Sequence, residues 1–584
     1  MAGWKRRFVG LACLPLLIGC HHAYGPARED PPKFRYMMRT YAHFTEAAKT
    51  VRFVDVANTT GIHYQWTIEG KRPLNILQTI GNGCAFLDYD NDGNLDLLLV
   101  GPKLALYKGD GKGHFTDVTA AAGLEKFSGR FLGCAVGDVD GDGYDDVYIS
   151  GYREALLLHN EGGRTFRDIT QEAGLKPQPW GTSCAFAETV PGSGRLDLYM
   201  ANYADFSLDV GPLLCMQHDV ETSCGPKQYK PLPGVLYQND GHGHFTDITQ
   251  ASGAAAVQGR GLGVAFADYD GSGRPSLALA NDELPGDLLR PDPHGPQVRY
   301  TNLGESSGTA YDREGNTHGG MGLDWGDYDN DGKFDLLVAT FQGEPRSLYH
   351  NDGQGQFSDR GFQMGIGSAG VPYVAFGCKF FDYDNDGRLD IILANGHVQD
   401  NIHEVDHLST YRQPTQLFHN RSGKYPGYEE ADQTSPDLMR PIVGRGLAVG
   451  DYDNDGRVDV LIVDSEGRPL LLHNECSATG HWLGVRLVGT KSNRDGYGAV
   501  LTAKIGKRAL IQQCQTCGSY LSASDRRVHF GLDRAKRVDV LTVRWPSGHT
   551  DTYKNLTADR YIALREGDPA VKSESAPPAP VAAR

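Results

Sequence analysis

The sequence predicts an all-β chain, a seven-bladed β-propeller followed by a small β-rich C-terminal domain, and three observations predict it. An acidic segment of nine residues, ten in one copy, occurs seven times, with first positions at 88, 138, 188, 268, 327, 382 and 451. Each copy lies between two short apolar stretches and is followed by further strand-like motifs, so a repeat carries four strands. Four strands seven times is the arithmetic of a propeller. Composition agrees: 584 residues are too many for a single core, and 40% hydrophobic residues with 28 Tyr and 22 Phe furnish apolar surface for several. The 74 glycines and 30 prolines supply turns without reaching the share of a low-complexity chain.

The N-terminal end reads as an address. Lys5, Arg6 and Arg7 precede an apolar run from Phe8 to Ile18, too short to span a bilayer as a helix. The run ends in Leu17-Ile18-Gly19-Cys20, which resembles a bacterial lipobox. That resemblance implies loss of residues 1–20 as a signal peptide up to an acylated Cys20 and, with His21 rather than Asp next, an outer-membrane lipoprotein of the cell envelope. Residues 21–48, polar with Pro26, Pro31 and Pro32, read as a tether, which leaves lipid as the link to the membrane. A formal net charge of −16 argues against a nucleic-acid partner, because phosphate recognition needs clustered Lys and Arg.

Residues 49–474 hold the repeats. Asp88-Tyr-Asp90-Asn-Asp92-Gly93-Asn94-Leu-Asp96 returns from Asp138 to Asp146, Asp327 to Asp335, Asp382 to Asp390 and Asp451 to Asp459. A weakened copy has Asp268, Asp270, Ser272, Gly273 and Ser276, and a nearly erased one runs from Glu188 to Asp197. Apolar flanks such as Gly83 to Leu87 and Leu97 to Val100 make each copy the turn of a hairpin. A third strand follows in Leu-Tyr-x-Asn form at Leu236 to Asn239, with relatives at Leu348 to Asn351 and Leu417 to Asn420. A fourth starts at Phe115, Phe166 and Phe245. Phe53-Val-Asp55-Val56 matches this fourth strand but precedes the first acidic loop, while the last repeat stops after Leu470 to Asn474. Pairing the spare strand with the incomplete repeat closes the ring and removes two free edges.

The complete acidic loops suit calcium. First, third and fifth positions carry carboxylates: Asp88, Asp90 and Asp92; Asp138, Asp140 and Asp142; Asp327, Asp329 and Asp331; Asp382, Asp384 and Asp386; Asp451, Asp453 and Asp455. A Gly at the sixth permits the turn, the seventh residue (Asn94, Tyr144, Lys333, Arg388, Arg457) offers its carbonyl, and the ninth is Asp96, Asp146, Asp335, Asp390 or Asp459. A hard cation that takes about six to eight oxygens fits this pattern. An EF-hand does not, because its twelfth-position Glu is replaced by Leu99, Ile149, Val338, Leu393 and Ile462 and the flanks are strand-like. The 188–197 loop is expected to bind nothing.

These repeats resemble the FG-GAP/VCBS calcium-binding repeats of integrin-α-type propellers. Residues 475–565 resemble the small ASPIC/UnbV domain, in order through Trp482-Leu-Gly-Val-Arg486, Asn493-Arg-Asp-Gly-Tyr-Gly498, Gly518-Ser-Tyr-Leu-Ser522, Val528-His-Phe-Gly-Leu532 and Val543-Arg-Trp-Pro-Ser-Gly548. Together they resemble the cartilage acidic protein family, which implies an extracellular, calcium-binding, β-rich protein with no settled enzymatic activity. Residues 566–584 read as a disordered tail.

Cys84, Cys134, Cys184 and Cys378 each lie four residues before a loop's first position, where other copies have Val264, Leu323 or Leu447; the interchange marks a core seat. Cys215 and Cys224 lie in a Pro-rich insertion and are expected to form a disulfide, as are Cys514 and Cys517, leaving Cys476 free.

No HExxH, GxSxG, Walker A or dinucleotide fingerprint is present. Five places after each ninth position stand Gly101, Gly151, Asn202, Asn281, Thr340, Asn395 and Asp464, and the three asparagines precede the longest insertions. Insertions on a rigid scaffold make a ligand face, with Asn202, Asp205, Asn281, Asp282, Asn395, His397 and Asp400 as its candidates; capping of loops by the asparagines is the competing reading. Two functions follow. One is a lipid-anchored module binding a protein or glycan; the alternative is an extracellular polysaccharide lyase or hydrolase, favoured by a compact cluster of His, Tyr, Arg and carboxylates.

Overall fold

The structure is a computed structural model, described for residues 51–573 apart from 211–212, 296, 422–426 and 478. The leader, Cys20, the tether at 21–48 and residues 574–584 lie outside the described residues.

The first repeat sets the pattern. Cys84–Leu87 forms the inner strand with all four residues buried; Asp96–Leu99 and Ala105–Gly109 follow, and the outer strand Phe115–Asp117 buries only Phe115. Seven four-stranded antiparallel sheets are built in this way, each a blade. Each inner strand packs on the next and the seventh on the first, so the propeller is a closed ring. The closing blade takes its outer strand from the far end of the sequence: Phe53–Asp55 pairs with Leu470–Asn474, Phe53 opposite Asn474. Cys84, Cys134, Cys184 and Cys378 are all buried on inner strands.

Two sets of asparagines staple neighbouring blades. The Asn that ends the third strand donates both amide hydrogens backwards: Asn160 to the carbonyls of Tyr89 and Asp145 (2.8 and 3.0 Å), Asn420 to those of Tyr328 and Leu389 (2.8 and 3.0 Å), and Asn474 to those of Tyr383 and Val458 (2.8 and 3.2 Å). The Asn at the fourth loop position reaches forwards: Asn91 to Gly143 O, Asn330 to Gly387 O and Asn385 to Gly456 O, at 2.7, 3.0 and 2.8 Å. These residues sit at φ near +60°, a conformation Asn tolerates better than most.

The C-terminal part forms two further four-stranded sheets, one centred on His481–Val488 paired in parallel with Arg560–Arg565, the other on Val500–Ile505 and Arg537–Arg544. Leu483, Val485, Leu501, Phe530, Leu541, Val543 and Ile562 fill one core with blade residues such as Phe186 and Leu198. The expected tail from 566 is corrected. Val571–Ser573 pairs with Ile562 to Leu564, and the buried Glu566 accepts the amides of Thr490, Lys491 and Ser492 at 2.7–2.9 Å. A polar composition there hides a carboxylate that has three amide donors and the hydroxyls of Ser492 and Ser547.

Residues 519–525 enter the middle of the ring. Ser519 exchanges two backbone hydrogen bonds with Leu323 (2.6 and 3.2 Å), and the Leu521 and Ala523 carbonyls accept from Cys134 and Phe86 (3.0 and 3.1 Å). The Leu521 amide donates to Ser183 Oγ at 2.9 Å, and the Asp525 amide to Val449 O at 3.0 Å. Five of the seven inner strands are thus bound by one loop of the C-terminal domain, and Tyr520 and Leu521 are almost fully buried.

Candidate functional site

The acidic loops organise themselves before any ion is considered. In each complete loop the first Asp accepts the sixth-position amide, from Gly93 to Asp88 at 3.2 Å through to Gly456 to Asp451 at 2.7 Å. The fifth Asp accepts the amide of the seventh residue: Asn94, Tyr144, Lys333, Arg388 and Arg457 donate to Asp92, Asp142, Asp331, Asp386 and Asp455 at 2.9–3.0 Å. The ninth Asp clamps the hairpin. One oxygen takes the second loop amide and the other the amide at the end of the third strand, as in Asp96 with Tyr89 and Gly109 (both 2.9 Å) and Asp390 with Tyr383 and Asn420 (3.3 and 2.8 Å). Asp146, Asp335 and Asp459 do the same. The erased loop retains Asp197, which takes the Asn239 amide at 2.9 Å; a clamp is needed even where ligands are gone.

Basic side chains from the third strand lie over the loops, a feature the sequence reading missed although the signal was the x of Leu-Tyr-x-Asn. His159 is 3.0 Å from Asp140, His350 is 3.4 and 3.2 Å from Asp329 and Asp335, His419 is 3.9 and 3.3 Å from Asp384 and Asp390, and His473 is 3.9 and 3.1 Å from Asp453 and Asp459. In the first loop the residue is Lys108, paired with Asp90 and with Asp92 at 3.0 Å. The seventh-position Lys333, Arg388 and Arg457 fold back on Asp331, Asp386 and Asp455. Positive charge is still in deficit. Burial pushes the Asp384 carboxyl up to about 8, with Asp390 and Asp386 adding repulsion, and burial does the same for Asp327. Asp88 Oδ1, Asp90 Oδ1, Asp384 Oδ1 and Asp453 Oδ1 are buried without a hydrogen-bond partner among the described residues. Converging, donor-free carboxylate oxygens fit a hard divalent cation.

Protein groups meet the carboxylates of the two degraded loops. Asp268 is 2.6 Å from Arg544 and Asp270 2.8 Å from Arg290, so each carboxylate already has a guanidinium partner. Glu188 accepts from the Asn493 amide and side chain at 2.7 and 2.9 Å. The C-terminal domain covers the other loops as well: Tyr561 donates to Asp451 at 2.6 Å, Arg508 to Asp386 O at 3.2 Å, and Arg526 pairs with Asp145 at 2.6 Å.

On the opposite face the expected ligand residues separate. Asn202, Asn281 and Asn395 are buried and turn into their own blades, donating to the carbonyls of Pro233, Pro285 and Pro414 at 3.0, 2.7 and 2.8 Å, just ahead of each third strand. Thr340 treats Pro345 likewise at 3.0 Å. They are loop caps, which corrects their placement on the ligand face. His397 is buried against Phe341 and accepts the Gln399 amide at 3.0 Å; burial, helped by Arg445, pushes its ring down to about 3. Asp400 ties down Arg72 and Leu74 at 2.9 and 2.8 Å. Asp205 is exposed on a two-stranded ribbon with Lys230.

Asp282 alone lines a cavity of about 370 Å³ between the insertions. Its walls include Ile80, Leu262, Met321, Phe341 and Phe376, and its polar groups include Tyr203, Glu283 and Glu344. The Tyr203 hydroxyl donates to Asp282 Oδ2 at 2.5 Å. Tyr203, Glu283 and Glu344 could not be assembled from sequence, because they come from three different blades. The joined pair Cys215–Cys224 holds the hairpin Leu214–Gln217 and Val220–Ser223 at the cavity's edge. The expected pairing of Cys514 with Cys517 is corrected. Both are free and buried in different cores, Cys514 facing the carbonyls of Asp495 and Arg526 and Cys517 facing Gln515.

Comparisons with known proteins match these parts. Residues 88–149 and 327–393 match the FG-GAP-like repeat, and residues 489–571 match ASPIC and UnbV. Cartilage acidic protein 1 of Xenopus tropicalis is 25% identical over 508 residues, covering 80% of this chain and 70% of that protein. The Homo sapiens protein of that name is 24% identical over 508 residues, 80% of this chain and 69% of its own. Among solved structures, an Agrocybe aegerita lectin recognising non-reducing terminal N-acetylglucosamine has 15% identity and a TM-score of 0.38, covering 66% of this chain and 86% of its own. An exotype rhamnogalacturonan lyase has 13% identity and a TM-score of 0.31, covering 85% of this chain and 89% of its own. With two spans of its repeats and residues 489–571 matched, and a likeness to cartilage acidic protein 1 running over four-fifths of its length, the chain is a β-propeller with FG-GAP-like repeats and an ASPIC/UnbV domain.

Proposed function

We propose that this protein is a calcium-binding, ligand-capturing module of the bacterial cell envelope, held at the membrane by lipid on Cys20. The observation that carries the reading is the cavity of about 370 Å³ on the face away from the C-terminal domain. Apolar walls with a few convergent polar groups on a rigid scaffold are the usual make-up of a ligand site. Calcium is supported by the donor-free oxygens of the loops; bound there, it would neutralise carboxylates that the first, third and fifth positions hold together. The Cys215–Cys224 disulfide agrees with an oxidising compartment. A protein or glycan surface would present the captured group.

The test is capture from glycan and envelope-protein arrays, with and without calcium, by the parent and by Gln399→Trp, which fills the cavity mouth. Capture that the variant retains in full would reject the cavity. The Tyr203–Asp282 pair favours the second reading, a lyase or hydrolase on extracellular polysaccharide, since a tyrosine and a carboxylate can share a proton. New reducing or unsaturated ends released from polysaccharides by the parent and not by Asp282→Asn would establish it.

A further inference from the structure

The charged residues that line the cavity have one sign, while Arg260, Arg445 and Lys227 stand behind its walls. Asp282, Glu283 and Glu344 line it, and none of the lining residues is Lys, Arg or His. Asp282 is almost fully buried; Oδ2 accepts the Tyr203 hydroxyl, while Oδ1 receives no hydrogen bond among the described residues. Glu283 Oε2 is buried without a partner, and Oε1 has only Lys227, 3.6 Å away on an exposed side chain. Glu344 Oε2 accepts the Gly319 and Phe341 amides at 2.8 and 3.2 Å. A buried carboxylate oxygen without a donor is costly until a donor or cation meets it.

We propose that this cavity binds a small organic cation, a protonated amine or alkylammonium head on an apolar body. The proposal rests on the reading of the cavity as the ligand site. The head would lie between Asp282 and Glu283, and the body would cover Leu262, Met321, Phe341 and Phe376. Shape and chemistry favour an organic cation over a bare ion, because apolar walls gain nothing from a hydrated metal. The lining carboxylates disfavour anionic ligands. The volume is in the range of small-molecule sites.

The probes are phenethylammonium, benzyltrimethylammonium, neutral 2-phenylethanol and anionic 3-phenylpropionate, titrated calorimetrically into the full chain in calcium at pH 8. The cations should bind about tenfold or more tighter than phenylethanol, and phenylpropionate should not bind. Asp282→Asn and Glu283→Gln should each weaken the cations about tenfold and leave phenylethanol unchanged. If Asp282→Asn fails to fold, Glu283→Gln, with its half-exposed side chain, decides. Equal affinity for phenylethanol and the cations, insensitive to either variant, would overturn the cationic ligand while leaving the cavity as a site. Binding by none of the probes would overturn the cationic ligand; capture retained by Gln399→Trp would separately overturn the cavity.

Discussion

The Tyr520 hydroxyl donates a 2.8 Å hydrogen bond to the carbonyl of Ile80, joining the loop that fills the ring to the chain that lines the cavity. Tyr520 also packs edge-on against Phe376, a cavity wall, with ring centroids 4.9 Å apart. The C-terminal domain therefore supports the floor of a site on the far side of the propeller. Tyr520→Phe should cost about 1–2 kcal/mol by leaving a buried carbonyl unpaired, and Tyr520→Ala about 3–5 kcal/mol. Thermal melts measure both; equal melting of Tyr520→Ala and the parent would refute the supporting role.

Calcium should raise the melting temperature and chelation lower it. At a concentration about 100-fold above Kd, each filled site adds about 2.7 kcal/mol. Open loops of this kind bind at roughly 10⁻⁴–10⁻³ M. Asp92→Ala should lose one ion in calcium-content measurements, whereas Ser272→Ala, in a loop whose Asp268 already pairs with Arg544, should lose none. Coincident melts in EDTA and in millimolar calcium would end the proposal.

Asn395→Ala should destabilise the sixth blade by about 1–3 kcal/mol, because the Pro414 carbonyl loses its donor. Ligand capture should persist. Loss of capture at an unchanged melting temperature would return the asparagine to the ligand face.

Glu566 gives stability a defined acid limb. Burial alone would raise its carboxyl, but hydrogen bonds from Ser547 and from the amides of 490–492 outweigh it and hold the group near 2, below its ordinary 4.5. The carboxylate's contribution is complete above pH 4.5 and is lost as pH falls through 2. Glu566→Gln should melt below the parent at pH 6, with the gap narrowing by pH 2.5. A gap that stays constant would contradict the assignment.

Asp282 has the opposite sign. Burial pushes its carboxyl up to about 7; the Tyr203 hydrogen bond and Arg260 oppose this, Glu283 and Glu344 add to it, and Tyr520 lies nearby. The folded chain therefore loses stability as pH rises from 3.8 through 7, and a bound cation restores it. Phenethylammonium affinity should fall about tenfold or more between pH 8 and pH 5.5, since one pH unit below the pKa is a tenfold change in the carboxylate. A flat profile would remove Asp282 from the site.

The ring was legible because periodicity is a local property. The closing strand could be found at Phe53 since it carries the same Phe, Asp and Val spacing as Phe115, and the core cysteines since they alternate with Val and Leu at one offset. Direction was not legible. Asn395 lies opposite Ala375 at the end of an inner hairpin, and whether its amide points to solvent or back to Pro414 is decided by the path of the following loop. Convergence was not legible either, because Tyr203, Asp282 and Glu344 meet only after three blades have been set around the ring. His350 and His419 were visible as letters, but their position over a loop depends on the third strand's pairing with the second.

The joining of residue 53 to residue 474 also orders assembly in time. A chain made from its N-terminal end can build six hairpin blades as they appear, but its first strand has no partner until about four-fifths of the sequence has been made. The middle of the ring stays open longer, until the loop at 519–525 arrives to be gripped by strands laid down as early as Phe86 and as late as Val449. A chain cut short anywhere before residue 519 would therefore display unfilled inner strands, and a chaperone or protease could tell it from a finished molecule by that opening alone.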